Sequence, residues 1–313
     1  MADIAESNKM LSSANSLNPS NPTSSGQHVL MNDKTKIKSA IRYTTVVVNS
    51  RDRNYLNYPD SNHFRYILRR PLTNVHSIEL MNGSIPALIY NMNTPWNSFS
   101  FKEGNTISTV TLTPGFYTDA DICLELQTQL NLISGRRNTY QVTLNGITKK
   151  IQIKALGVVP YSFLFYSGKF KDEIDLTTLA ILSINTPARL LGFGLTDYTG
   201  DTSGIVNAPL PVDLQNFLTR IYLHLESDGR NLSRMELGAG RPDCFHIFYL
   251  NPAARVQGYL LLNKDTDHSC FTSSPAPISR VANLEITFRD EFNRIVDLQH
   301  REATLVFEIC HLE

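Results

Sequence analysis

Few residues of this 313-residue chain have the types and spacing that catalysis or metal binding requires. Asp265, Asp267 and His268 could ligate a metal ion from one loop, but the run lacks the remaining positions of a calcium loop, which favours a polar turn. Asp119 and Asp121 could form a carboxylate pair. They also stand where the first turn of a helix would begin, and acidic residues there complement the helix dipole, so a structural role is favoured.

Motifs of the common enzyme classes are missing from the sequence. It contains no G-x-x-x-x-G-K-[ST], G-x-G-x-x-G, H-E-x-x-H or G-x-S-x-G. Catalytic triads are recognised by geometry and not by spacing, so this absence does not by itself exclude an enzyme. The sequence nominates no catalytic residue, no cofactor and no metal ligand, and we expect a protein that is not an enzyme.

Cysteine usage and charge narrow the class of protein further. No C-x-x-C pair occurs, so neither a zinc site nor a small disulfide scaffold is predicted for Cys123, Cys244, Cys270 and Cys310. Lys+Arg and Asp+Glu are both 29, and a formal net charge of zero argues against a dedicated nucleic-acid binder. No apolar run approaches the length of a membrane-spanning helix and no signal-peptide pattern occurs, so we expect synthesis in the cytosol.

Short β-branched or alternating runs dominate the chain from residue 43 onward, and they predict ten or more strands. In a predicted hairpin over residues 140–153, Asn145-Gly146 suits a two-residue type I′ turn that places Leu144 opposite Ile147. Separate strands are predicted at Phe64–Leu68 and Val75–Leu80. Alternation near the C-terminus predicts two further strands, whose buried faces are Leu284, Ile286 and Phe288 in the first and Leu305, Phe307 and Ile309 in the second.

One segment, residues 118–134, has the pattern of an amphipathic helix. Thr118 and Asp121 resemble a capping box at its start, and Gly135 suits its C-terminal cap. One face of the helix carries Ile122, Leu126, Leu130 and Ile133.

The N-terminal 40 residues differ from the rest. Between Ser7 and Gly26, 14 of 20 residues are Ser, Asn, Thr or Pro, a composition that cannot offset its own ordering entropy. The sequence therefore predicts a flexible Ser/Asn-rich arm over residues 1–40 and one domain over residues 41–313. We predict that this domain is an all-β jelly-roll β-sandwich with long loop insertions and one amphipathic helix.

Four residues are candidate subunit contacts. Arg51, Asp52 and Arg53 lie in a polar loop, where they could fix a contact, or where the arginines could simply pair with Asp52. Trp96, the only tryptophan, could anchor an interface, because aromatic residues are enriched there, or it could cap the core.

Four segments, taken in order, resemble a known family: Val47–Asn54, Val75–Ala87, Leu112–Thr118 and Leu284–Asn293. Their order is similar to that in the single-jelly-roll penton and minor capsid proteins of large icosahedral DNA viruses. The resemblance implies a structural virion protein, foremost a penton protein whose homopentamer closes the five-fold vertices. It implies contacts with the major capsid protein and other minor capsid proteins, a place in the virion capsid, and assembly in the host cytoplasm.

Charge is unevenly placed along the chain. Residues 34–70 carry nine Lys/Arg and two Asp/Glu, a net of +7, whereas residues 285–313 carry seven acidic and three basic residues, a net of −4. The basic segment could face an acidic neighbour, anionic lipid or the genome inside a shell. The alternative is solvated charge on unrelated faces.

Other functions stay open beside the penton. Within the same class, the chain could be a minor capsid protein lying between or beneath the major capsomers. A carbohydrate-binding jelly roll for host attachment would need exposed aromatics and paired Asp/Asn in loops such as residues 198–207 or 228–243. A hydrolase on a β-sandwich would need converging carboxylates that the linear sequence does not show.

Overall fold

A computed structural model describes residues 41–214, 218–233, 235, 237, 243–250, 258–264 and 271–312. The predicted arm of residues 1–40, the Asp265–His268 turn and Cys270 lie outside the described residues. The division into an arm and one domain therefore stays a prediction. The secondary-structure elements, in chain order, are β1 Ile41–Asn49, a 3-10 turn Ser50–Asp52, β2 His63–Pro86, β3 Ser98–Glu103, β4 Thr106–Thr111, α1 Asp119–Leu132, β5 Tyr140–Leu144, β6 Ile151–Ala155, β7 Tyr161–Leu164, β8 Glu173–Ile174, β9 Ile181–Ser183, β10 Tyr198–Thr199, β11 Ile205–Asn207, β12 Arg220–Ser227, β13 Arg230–Asn231, β14 His246–Tyr249, β15 Tyr259–Asn263, β16 Phe271–Arg289 and β17 Thr304–Leu312.

Two long strands, β2 and β16, run through both halves of the main sheet. The C-terminal half of β2 pairs with β17, which pairs with β1, whereas its N-terminal half pairs with the C-terminal half of β16. That half of β16 pairs in turn with β12, and β12 pairs with β14. Register shifts in the β2–β16 ladder separate the two halves. The predicted all-β jelly-roll sandwich with long insertions is thereby confirmed.

Alternating side chains of the C-terminal strands form much of the core between these halves. The residues predicted to share a buried face are all fully buried: Leu284, Ile286, Phe288, Leu305, Phe307 and Ile309. Phe245, just before β14, meets Phe307 edge-to-face with ring centroids 5.9 Å apart. This contact joins the half that contains β14 to the half that contains β17.

The long insertion between β2 and β12 carries α1 and three smaller sheets. The capping box of α1 is present as predicted, because Thr118 accepts from the backbone of Asp121 and the Asp121 carboxylate accepts from the backbone of Thr118. The predicted apolar face contacts the core through Ile122, Leu126 and Leu130, which are buried, and Ile133, which is partly buried.

Aromatic side chains fill the interior of the insertion, a cluster that the sequence reasoning did not single out. Phe163 lies at its centre, with ring centroids of five neighbours 5.3–5.9 Å away at Phe101, Phe99, Phe165, Phe193 and Tyr161. Fully buried aromatic side chains contribute large apolar areas and pack with preferred ring geometries. The insertion therefore has a core of its own residues and is not a set of open loops.

The strand prediction at Phe64–Leu68 and Val75–Leu80 needs one correction, because both belong to the single strand β2. The polar residues between them do not end the strand, since β16 pairs with β2 on both sides of them, with register shifts between the two stretches. Likewise, residues 198–207, expected to be a loop, contain the short strands β10 and β11.

The predicted register of the Asn145-Gly146 hairpin is wrong. Leu144 pairs with Ile151 and Tyr140 with Ala155, so the connection is six residues long instead of two. The Asn145 side chain accepts from the backbone N–H groups of Ile147 and Thr148, at 3.0 and 2.8 Å. Burial explains the difference. The observed register buries Ile151, Ile153 and Ala155 and leaves Lys149 in the connection, whereas the predicted register would set Lys149 on an apolar face.

Candidate subunit interface

Arg51 and Asp52, two of the four predicted contact residues, are exposed in the 3-10 turn that follows β1. The Asn49 side chain caps this turn by accepting from the Arg51 backbone N–H at 2.9 Å. Both side chains therefore project from a fixed backbone at the end of an edge strand.

Arg53 is buried, and its guanidinium organises the loop from within. It donates to the backbone carbonyls of Ser50 and Pro59 at 2.8 and 3.0 Å, and it pairs with the Glu302 carboxylate at 2.8 Å. Burial acts to raise the pKa of Glu302, but hydrogen bonds from Ser50 and Arg53 outweigh it and hold that pKa below its usual value. Arg53 thus ties the loop after β1 to the residues before β17.

Trp96 is also buried within the chain. Its indole Nε1–H donates to the carbonyl of Asn91 at 3.2 Å, and the Arg294 guanidinium lies 4.2 Å above its ring. The same guanidinium pairs with Asp290 at 2.7 Å. The structure thus brings Arg51, Asp52 and Arg53 together and holds Trp96 in separate packing, and a subunit contact of any of the four stays a prediction.

The basic segment of the sequence contacts the acidic C-terminal segment in the folded chain, a pairing that the sequence reasoning missed. Besides Arg53–Glu302, the carboxylate of Glu285 lies 2.7 Å from Arg65 and 2.9 Å from His63. His300 lies 3.4 Å from Asp60. Antiparallel pairing of β2 with β16 brings Glu285 beside Arg65, and pairing of β1 with β17 brings the loops of Arg53 and Glu302 together. Part of the +7 charge is therefore matched by the chain's own C-terminal carboxylates.

Arg69 and Arg70 are left on the surface by a bulge in β2. Ile67 pairs with Asn283 and Leu72 with Val281, so four residues of β2 face Ala282 alone. Both arginines lie in this bulge and are exposed. Neither pairs with a carboxylate among the residues that the structure describes. A bulge changes the direction in which side chains point, which explains why two consecutive arginines face the same surface.

A groove of about 500 Å³ lies between the bulge and β1. We call it the arginine groove; its polar lining includes Arg42, Thr44, Tyr66, Arg69, Arg70 and His311. The His311 ring is buried and lies 2.9 Å from the Thr44 hydroxyl. Val47, Pro71 and Leu72 add apolar surface. The groove therefore combines concentrated positive charge with apolar walls.

β1 is the edge strand on this side of the main sheet and pairs only with β17 in the described part of the chain. Its outward face carries Ile41, Tyr43 and Val47, and the Tyr43 side chain is 66% exposed. β1 has no proline and one charged side chain, Arg42, and an exposed edge strand of this kind can pair with another chain. This edge is therefore suited to a protein contact.

A second exposed apolar feature is a two-stranded hairpin in the insertion. Strands β8 and β9 form a sheet that pairs with no other described strand, and the connection between them carries Leu176 and Leu179, 85% and 77% exposed. We call residues 173–183 the leucine hairpin. Two large exposed apolar side chains on one short element suit a contact surface.

The buried thiols do not form a reactive site. Burial raises the pKa of Cys123 to about 11 and that of Cys244 to about 11, so both remain protonated at neutral pH. Within the described ranges, no cluster of three or more His, Cys, Asp or Glu could hold a metal ion. Across the same ranges, the helices are too short or too polar to cross a membrane.

Comparisons with known proteins give one family and one structural likeness. The model of a family of unknown function (DUF5901) matches residues 32–193, about half of the chain. No curated protein matches. Among solved structures, the crystal structure of the selenomethionine-labelled penton protein of mavirus is similar over 88% of this chain and 100% of that chain, with 12% sequence identity and a TM-score of 0.37.

Proposed function

The chain belongs to the family of unknown function DUF5901, and we propose that it is a structural protein of a viral capsid. The proposal rests on four segments of the chain, the ones that resemble the penton and minor capsid proteins, and on their positions in the jelly roll. Val47–Asn54 spans the end of β1 and the Arg53 loop, and Val75–Ala87 spans the C-terminal half of β2. Leu112–Thr118 leads into α1, and Leu284–Asn293 spans the end of β16. Each segment therefore sits at an element that defines the fold.

Within that class we propose the penton protein, which assembles as a homopentamer and closes the five-fold vertices. The chain presents different surfaces on different elements, the edge strand β1, the arginine groove and the leucine hairpin. Unlike surfaces support heterologous contacts, which close into a ring when the rotation between copies fits. The partners in this proposal are further copies, the major capsid protein and other minor capsid proteins, in a virion assembled in the host cytoplasm.

A structural role also agrees with the chemistry of the described residues. Two arginines pair with carboxylates, Arg53 with Glu302 and Arg294 with Asp290, and both pairs join loops to the core. We therefore propose that the protein is not an enzyme.

Reconstruction of the purified particle tests the proposal. Density for this chain at the five-fold vertex is the expected result. Density between or beneath the major capsomers would instead indicate that the chain is another minor capsid protein and not the penton protein. Absence of the chain from the particle would overturn the proposal, and binding on a glycan array would then favour a carbohydrate-binding jelly roll.

A further inference from the structure

We propose that neighbouring copies of this chain join head to tail, with the leucine hairpin of one copy seated in the arginine groove of the next. The inference rests on the proposed function, because it names the contact that would join the copies of a ring. It assigns one occupant to the groove, a second copy of the same chain.

Hydrogen bonds fix the conformation of the turn of the leucine hairpin. The Asp175 carboxylate accepts from the hydroxyls of Thr177 and Thr178 at 2.7 and 2.8 Å, and the Leu179 N–H donates to the Asp175 carbonyl at 2.7 Å. These bonds hold Leu176 and Leu179 outward on a closed turn. A surface that is ordered before binding loses less entropy when it binds.

The base of the hairpin is anchored to the body of the chain. Buried Asp172 accepts from the backbone N–H groups of Asn185 and Thr186 at 2.7 and 3.0 Å. Arg294, which also covers Trp96, donates to the carbonyl of Ile184 at 2.8 Å. The exposed leucines are therefore carried on a fixed element.

The hairpin and the groove are complementary in charge. The leucine hairpin, residues 173–183, has two acidic residues, Glu173 and Asp175, and no Lys or Arg. Glu173 is exposed. Hydrogen bonds from Thr177 and Thr178 hold the pKa of Asp175 at about 2, so the Asp175 carboxylate is ionised at neutral pH. The groove opposes these acidic residues with Arg42, Arg69 and Arg70. Opposite charge steers association and sets register.

The apolar parts also match. The groove carries Val47, Pro71 and Leu72 beside its arginines, and its volume of about 500 Å³ lies within the usual range of binding pockets. Leu176 and Leu179 would bury their side chains against these walls, and Glu173 would remain at the charged rim. An apolar centre with a polar rim is the usual anatomy of a protein interface.

The contact is heterologous, which makes a sharp experiment possible. A groove variant, Arg69→Glu with Arg70→Glu, keeps its hairpin. A hairpin variant, Leu176→Ser with Leu179→Asn, keeps its groove, and Asn tolerates the positive φ of +56° at position 179. A matched control, Arg136→Glu with Arg137→Glu, reverses the charge of another exposed pair of consecutive arginines, which lies outside the groove.

Native mass spectrometry of the full chain is the measurement. We expect the wild type and the control to form the same oligomer, and each interface variant alone to stay monomeric. Mixing the two variants should give a one-to-one dimer and nothing larger, because only one intact hairpin and one intact groove remain. Folding of each variant is checked by circular dichroism and thermal unfolding.

Three results would overturn the inference. The first is wild-type assembly by either folded interface variant. The second is a wild-type chain that stays monomeric at its highest soluble concentration. The third is binding of a single-stranded DNA oligonucleotide that the groove variant loses while its self-association is unchanged, which would assign the groove to nucleic acid. The proposed function fails separately, when the chain is absent from the particle although the contact is real.

Discussion

The Arg53 guanidinium lies 2.8 Å from the carboxylate of Glu302, a residue 249 positions later in the chain. The arginine is nearly fully buried, and its remaining N–H groups donate to backbone carbonyls of its own loop. This pair joins the first jelly-roll strand to the last through one side chain. Arg53 lies within Val47–Asn54, the first of the four segments that resemble the penton and minor capsid proteins.

Replacing Arg53 by alanine should destabilise the fold by about 3 kcal/mol, because removing one partner leaves a half-buried carboxylate and several carbonyls without donors. Urea unfolding followed by tryptophan fluorescence measures the change. The neighbouring Arg51→Ala serves as the control and should change stability by less than about 0.5 kcal/mol, since Arg51 is exposed. Equal losses for the two variants would contradict the role assigned to Arg53.

Stability should fall in acid through Glu302 and Glu285. The pKa of each is lowered in the folded chain, because hydrogen bonds from Arg53 and Ser50, or from Arg65 and His63, outweigh the opposing effect of burial. A group whose folded pKa is lowered stabilises the fold above its unfolded pKa, near 4.5, and that stabilisation is lost as the pH falls through the folded pKa. Unfolding free energies measured from pH 6 down to the acid transition should therefore decline less steeply for Glu302→Gln. An unchanged slope in this variant would contradict the assignment.

Gly146→Ala should be nearly neutral, within about 0.5 kcal/mol, because no atom lies within 4 Å of the added methyl group and Gly146 has no positive φ. The two-residue type I′ turn predicted from the sequence requires a positive φ there and would make the same substitution costly. Gly135→Ala is the comparison, since its site is equally open but its φ is +73°, and it should cost about 1 kcal/mol. Thermal unfolding of the two variants distinguishes the registers, and a large loss for Gly146→Ala would restore the shorter turn.

Thr118→Ala should cost about 1 kcal/mol, because the Thr118 hydroxyl accepts from the Asp121 backbone N–H at the start of α1. Thr118→Ser keeps the hydroxyl and should retain most of the stability. Chemical denaturation compares the two variants. A serine variant as unstable as the alanine variant would show that the threonine methyl group matters, not the cap.

The predictable part of the fold lies in segments whose local pattern and final environment agree. The helix was predictable because its capping box and apolar face lie within one stretch of chain, although its C-cap is Ile133 and not the predicted Gly135. The faces of β16 and β17 were predictable because a period of two residues points alternate side chains into the core. The β5–β6 register was not, since the same residues allow two pairings and the interior decides which one is buried.

The sequence by itself determined the class of fold, the helix and the lack of any recognised catalytic motif, because propensity, periodicity and spacing act over a few residues. Only the tertiary structure decided that Arg53 and Trp96 are buried, that the basic segment pairs with the acidic C-terminal one, and that Arg69 and Arg70 share a groove with Arg42. The Arg53–Glu302 and Arg65–Glu285 contacts, for example, depend on antiparallel pairing between positions more than 200 residues apart. Such pairing is selected by burial and charge matching across the whole chain, which no local pattern records.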